Sequence, residues 1–205
     1  MRKGKFIAVS GGEGSGKTSL FTFLKKSYPE AIFTREPGGT PVGAAIRDIL
    51  LDRHELDPTP EAELFLFFAD RAEHINTVVA PSTKLGKHVF SDRYWMDTFA
   101  YQWWASMKRT DINAFMQLIL AAGFPDPDLL IWLDIDPKVG ITRRFGTGLF
   151  NRIDVKTLAF HRRVREGFTQ LVRTVKFPYV RIDASKSFDE VRADVQQSLQ
   201  KFLSI

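Results

Sequence analysis

The stretch Phe6-Ile7-Ala8-Val9-Ser10-Gly11-Gly12-Glu13-Gly14-Ser15-Gly16-Lys17-Thr18 decides the fold. Its opening apolar run shows no alternation, which is the pattern of a strand buried on both faces of a parallel sheet. Gly11 to Thr18 then satisfies G-x-x-x-x-G-K-[ST], and a helix-length segment, Lys17 to Ser27, follows. The glycines let successive backbone N–H groups turn inward toward a phosphate, and the helix N-terminus adds its positive dipole end. Lys17 supplies a compact charge and the Thr18 hydroxyl suits Mg²⁺. Strand, glycine loop and helix read together as a phosphate cradle of the P-loop kind.

Similar short apolar runs recur at Ala31 to Thr34, His88 to Ser91, Leu129 to Leu133 and Tyr179 to Ile182. Helix-length segments separate them: Pro41 to Asp52, Thr59 to Ala80, Met96 to Met107, Ile112 to Ala121, Pro137 to Phe145, Asp154 to Val175 and Phe188 to Phe202. Alternation of strand and helix predicts an α/β, three-layer P-loop NTPase fold with a five-stranded parallel sheet flanked by helices, every strand buried on both faces. No linker or repeat divides the chain, so residues 1–205 are expected to form one domain. Phe145 to Asn151 breaks a helical pattern with two glycines flanked by arginines, a candidate mobile lid over about 143–153.

Composition narrows the function classes. Hydrophobic residues at 44% and charged residues at 26% exclude disordered and coiled-coil chains. Cysteine is absent, which removes disulfides, zinc fingers and thiol nucleophiles and suits a reducing cytosol. The apolar run at the N-terminus is too short for a signal peptide, and no stretch approaches the ~20 apolar residues that span a bilayer. A cytoplasmic protein without a membrane partner is expected. The net charge of +5 is unevenly spread, with nine Lys/Arg against two acids between Ile141 and Lys176. That segment reads as a solvated helix face, a nucleic-acid contact or a neighbour of a phosphorylated small molecule.

In open α/β sheets ligands bind beyond the carboxyl ends of the strands, and the residues there carry chemistry. The second run leads into Thr34-Arg35-Glu36-Pro37-Gly38-Gly39-Thr40, with Arg47 about two turns into the next helix. A guanidinium fork matches phosphate oxygens, and paired glycines admit a ligand close to the backbone. In the helix from Thr59, Phe67 and Arg71 stand four apart on one face, where a ring can stack on a planar base while the arginine bonds its oxygen. The other phenylalanines there, Phe65 and Phe68, are expected in the core, and His74 is expected to be structural. The third run ends in Ser91-Asp92-Arg93-Tyr94, where a carboxylate can hold Mg²⁺ and Arg93 can bridge two phosphates. Gln102 on the following helix offers a donor and an acceptor to the edge of a pyrimidine. Asp136-Pro137 reads as a helix cap.

Taken in order, GGEGSGKT (11–18), TREPGGT (34–40), LFFADRAEH (66–74), SDRY (91–94) with AYQ (100–102), LDIDPKVG (133–140), RID (152–154), FHRRVREGF (160–168) and IDAS (182–185) resemble the thymidylate kinase family. The likeness covers nearly the whole chain. It implies transfer of a phosphoryl group from ATP to dTMP, giving dTDP and ADP, in a homodimer joined by helices outside the site. It also implies that Gly11, Gly12, Glu13, Gly14, Ser15, Gly16, Lys17, Thr18 and Ser19 bind ATP, and that Thr18 and Asp92 serve Mg²⁺. For dTMP it implies Glu13 near the sugar, Arg35, Arg47 and Arg93 on the phosphate, Phe67 stacked on the base, and Arg71, Thr98 and Gln102 at its edge. Lys17, Arg93 and the lid arginines Arg143 and Arg152 are implied as catalytic; Phe145 and Thr147 stand where the family carries further lid arginines, which leaves Arg143, Arg144 and Arg152 open for the lid role. Trp95, Met96 and Trp103-Trp104 also depart from the family pattern and are expected to alter the base pocket or its rim. Two other readings remain open: a kinase accepting a wider range of deoxynucleoside monophosphates, and a P-loop ATPase switch gripping DNA. The last leaves Phe67, Arg71 and Gln102 without a role.

Overall fold

The glycine loop joins β1, Phe6–Gly11, to α1, Lys17–Ser27, in a computed structural model that describes residues 3–53, 55–146 and 152–203. β1 is central in a five-stranded parallel sheet of order β2-β3-β1-β4-β5, where β2 is Ile32–Arg35, β3 Val89–Asp92, β4 Leu129–Asp134 and β5 Tyr179–Asp183. Because side chains alternate across a strand, β1 sends Phe6 and Ala8 into one core and Ile7 and Val9 into the other. β4 divides the same way, with Leu130 and Trp132 opposite Leu129, Ile131 and Leu133.

The first core is closed by α3 (Pro60–His74), α5 (Trp95–Thr98), α6 (Ile112–Ala121) and α8 (Leu158–Leu171). The second is closed by α1 and α9 (Phe188–Leu203). Short helices α2 (Pro41–Arg47) and α4 (Ala80–Lys84) complete the connections, with α7 (Pro137–Phe145) following β4. Three wide turns of π type, Asp48–Asp52, Ile75–Val79 and Phe99–Ser106, extend α2, α3 and α5. The last is closed by the Met107 N–H donating to the Gln102 carbonyl at 2.8 Å.

The expected strands and helices are present, with three corrections. The outer strands are not buried on both faces: β5 exposes three of its five residues and β2 is half-buried or exposed throughout, because an edge strand has one neighbour. The helix placed from Asp154 begins at Leu158, where the Thr157 hydroxyl accepts from the Phe160 N–H at 3.2 Å and caps the first turn. Trp95 and Met96 have no solvent exposure, and Trp103 and Trp104 are buried beside them. Trp95 packs against Phe115 and Phe177, so these bulky residues fill the core and do not form the rim of a base pocket. Of the expected lid, residues 147–151 lie outside the described residues.

Candidate active site

β1 is flanked by β3 on one side and β4 on the other, so consecutive connections leave the sheet in opposite directions and open a crevice at the strands' carboxyl ends. A cavity of about 1050 Å³ occupies this crevice. Gly14 and Gly16 have φ of 67° and 87°, a left-handed backbone that favours glycine, and Gly16 caps α1 without a side-chain partner. The amides of the first turn therefore remain directed at a ligand. Lys17 is buried in the cavity wall, its Nζ donating to the carbonyls of Gly11 at 2.9 Å and Gly12 at 3.1 Å.

Arg93 stands at the centre. Its φ of 74° is rare for a residue with a side chain and is held by its N–H on the Val9 carbonyl at 2.9 Å. One side of the guanidinium donates to Glu13 Oε1 and the other to Asp97 Oδ1, each at 2.7 Å, while its face covers the Tyr101 ring. Tyr101 also donates its hydroxyl to Glu13 at 2.9 Å, and Ser10 donates to Asp97 at 2.6 Å. Although burial opposes it, the attraction of Arg93 and Lys17 brings the Glu13 carboxyl down to about 2, so it is ionised at neutral pH. Burial and the neighbouring Arg93 lower the pKa of Lys17. Burial and the adjacent Arg35 do the same to Arg47. Cations crowded until they repel are arranged for a polyanion.

The far wall carries Arg35, Arg47, Phe67, Arg71, Thr98 and Gln102. Arg47 donates to the Pro37 carbonyl at 3.1 Å. Arg71 is 1% exposed, with Nε on Glu36 at 2.8 Å and one terminal nitrogen on Thr98 at 3.0 Å. Its other terminal nitrogen is buried without a protein partner, a cost the fold bears where a ligand can relieve it. Glu36 also takes a hydrogen bond from His74 at 2.7 Å, and His74 reaches Thr34 with its second ring nitrogen at 2.8 Å. His74 is thus structural, as expected. Among the phenylalanines, Phe67 faces the cavity and Phe68 packs on Phe115 and Phe124, but Phe65 is 64% exposed and does not join the core.

Asp92, beside Arg93, is raised in pKa by burial. Its Oδ1 is buried with no hydrogen-bond partner, and the Thr18 hydroxyl shares the cavity. An unpaired carboxylate oxygen and a hydroxyl form a hard donor pair suited to Mg²⁺. The remaining expected ligands of the donor, Gly14, Ser15 and Ser19, lie on the same wall, with Gly11 and Gly12 beneath Lys17.

The lid arginines separate. Arg143 lines the cavity and donates to the carbonyls of Ala184 at 2.7 Å and Ser185 at 2.9 Å, toward the end closed by α1 and α9. Arg144 also lines it, bonds Asp154 at 2.9 Å and feels the charges of Glu13 and Arg93. Arg152 is not on the cavity wall: it pairs with Glu63 and donates to the Leu50 carbonyl at 3.2 Å, two acceptors that draw it behind the wall. Sequence reasoning left Glu36, Glu63, Asp97 and Tyr101 without roles. None of the four sat at a spacing that marked it: even Asp97, four residues beyond Arg93, lies in α5 while Arg93 lies before that helix with left-handed backbone.

A parallel sheet with a glycine loop leading into a helix, and a second anion-binding wall facing it, defines a P-loop phosphotransferase acting on a small acceptor. The chain belongs to the thymidylate kinase family, whose model, described as thymidylate kinase, matches residues 9–195. It is 38% identical over 206 residues to the thymidylate kinase of Nostoc punctiforme, covering 98% of this chain and 97% of that one. Identity is 39% over 203 residues to that of Carboxydothermus hydrogenoformans, covering 97% and 98%, and 42% over 195 residues to that of a Synechococcus species, covering 93% and 92%.

Proposed function

We propose that the chain transfers the γ-phosphoryl group of ATP to dTMP, giving dTDP and ADP, and does so in the cytoplasm as a single kinase domain spanning residues 1–205. The observation that carries this reading is the shared cavity, with the glycine loop at one end, Phe67, Arg71 and Gln102 at the other, and Arg93 between them. The P-loop amides and Lys17 bind the donor phosphates. Arg35 and Arg47 bind the acceptor phosphate, and Phe67 stacks on its base while the unpartnered nitrogen of Arg71 donates to a base carbonyl.

The acceptor's phosphate oxygen is already nucleophilic, so the reaction needs alignment and charge neutralisation rather than a strong base. Arg93, gripped by Glu13 and Asp97, is pre-aligned and loses little freedom when it meets the phosphates. Arg144 closes the site from α7, and Arg143 serves the donor end. Thr18 and Asp92 would hold Mg²⁺, which supplies charge neutralisation on the donor phosphates. The exposed Phe65 on α3, with Ala62 and Ala69 exposed on the same helix, supports a homodimer through that helix.

The test is ADP release measured with and without each nucleoside monophosphate. Strong stimulation by dTMP is expected. Hydrolysis indifferent to every monophosphate would overturn the reading and favour an ATPase switch, and equal stimulation by several would favour a broader acceptor range.

A further inference from the structure

Gln102 is a side chain with two chemically different ends, and one neighbour decides which end it shows. Its Nε2 donates to Glu63 Oε1 at 2.7 Å, and both residues are buried, at 3% and 5% exposure. Glu63 Oε2 is taken by Arg152, whose Nε is anchored on the Leu50 carbonyl at 3.2 Å. A carboxylate shared between a guanidinium and an amide NH₂ can only accept. The amide of Gln102 therefore cannot turn over without placing its own oxygen against a buried carboxylate, a repulsive contact that also leaves the NH₂ group unpaired.

We infer that Glu63, braced by Arg152, is a positioning residue that locks Gln102 with its carbonyl Oε1 toward the acceptor base and so sets which pyrimidine the site reads. This inference rests on the proposed dTMP site. With Arg71 offering only N–H groups beside it, the wall presents one fixed donor and one fixed acceptor. Thymine and uracil offer the complement, a carbonyl next to a ring N–H. Cytosine offers an amino group and a bare ring nitrogen, so it meets donor against donor and acceptor against acceptor. The chain of contacts also gives Arg152 a task at a distance from the phosphates, consistent with its place behind the cavity wall. Phe67, which stacks on a π face, cannot supply this discrimination, because every base has one.

The experiment measures kcat/KM for dTMP and dCMP, with KM for ATP alongside, in the unaltered enzyme, Glu63→Gln, Gln102→Leu and the double variant. Glu63→Gln replaces the obligate acceptor by a group that can also donate, and the Gln102 amide gains its second orientation. The dTMP/dCMP preference is expected to fall by roughly tenfold or more, with KM for ATP unchanged. In the Gln102→Leu background the same substitution is expected to leave the preference where Gln102→Leu alone puts it, since Glu63 then has no amide to orient. An unchanged preference in Glu63→Gln, or equal and additive losses in both backgrounds, would overturn the inference. If Glu63→Gln folds poorly, Glu63→Asp, whose shorter side chain cannot keep both contacts, takes its place with the same two outcomes. Failure of the unaltered enzyme to use dTMP would instead count against the acceptor assignment itself, which the wild-type arm reads separately.

Discussion

At the residue scale, function rests on a few side chains held by partners, most of them far away in sequence. Arg71 is oriented by Glu36 and Thr98, and Arg93 by Glu13 and Asp97. Phe67→Ala is expected to weaken dTMP binding by about 1 to 3 kcal/mol without changing ATP affinity, measured by titration of each ligand; equal losses for both would contradict the stacking role. Asp70 gives a pH signature. Its Oδ1 accepts from the Gly38 N–H at 2.9 Å while Oδ2 is buried without a partner, and burial raises its pKa from 3.8 to about 6. Between those values the folded chain holds a proton that the unfolded chain has released, so this group's stabilising contribution is lost as pH rises through the window. Asp70→Asn cannot titrate. Urea unfolding is expected to show wild type losing stability relative to this variant from pH 3.8 to about 6, and a flat difference would contradict the burial argument.

At the scale of elements, the apolar runs and the Gly-Lys-Thr signal made the sheet and the glycine loop legible in advance, because strand burial and a phosphate turn each leave a local pattern. The exposure of β5 and β2 was not legible, since edge position depends on strand order rather than on the run itself. Nor were Glu36, Glu63 and Tyr101, whose partners lie 35, 39 and 88 residues away. The basic segment from Ile141 to Lys176 looked available for an outside anion, yet Arg144, Arg152 and Arg165 are paired with Asp154, Glu63 and Asp134. Charge counting does not see such pairs. Helix α7 connects to the glycine loop through Gly140, where an added Cβ would overlap the Glu13 carbonyl oxygen. Gly140→Ala is expected to lower both thermal stability and ATP affinity, and a variant with normal ATP binding would contradict the close packing. From the last turn of α7, Arg144→Ala is expected to cut turnover by roughly 10²-fold with little change in the KM for dTMP. An unaltered turnover number would remove Arg144 from the transfer step.

At the scale of the whole molecule, the fold brings two anion sites to one crevice because β1 lies at the point where the sheet's connections diverge. Among the described residues no helix is long and apolar enough to cross a membrane. The exposed Phe65 tests the proposed homodimer through α3: the unaltered chain is expected to scatter light as a dimer and Phe65→Arg as a monomer, and the same mass for both would contradict that contact. In the proposed reaction, donor and acceptor meet across Arg93. Its most direct test is a crystal structure with dTMP and a non-hydrolysable ATP analogue. The triphosphate is expected on Gly14 to Thr18, the dTMP phosphate in contact with Arg93, and its base on Phe67 and Arg71. A monophosphate bound away from Arg93 and Phe67, or absent from the cavity, would contradict it.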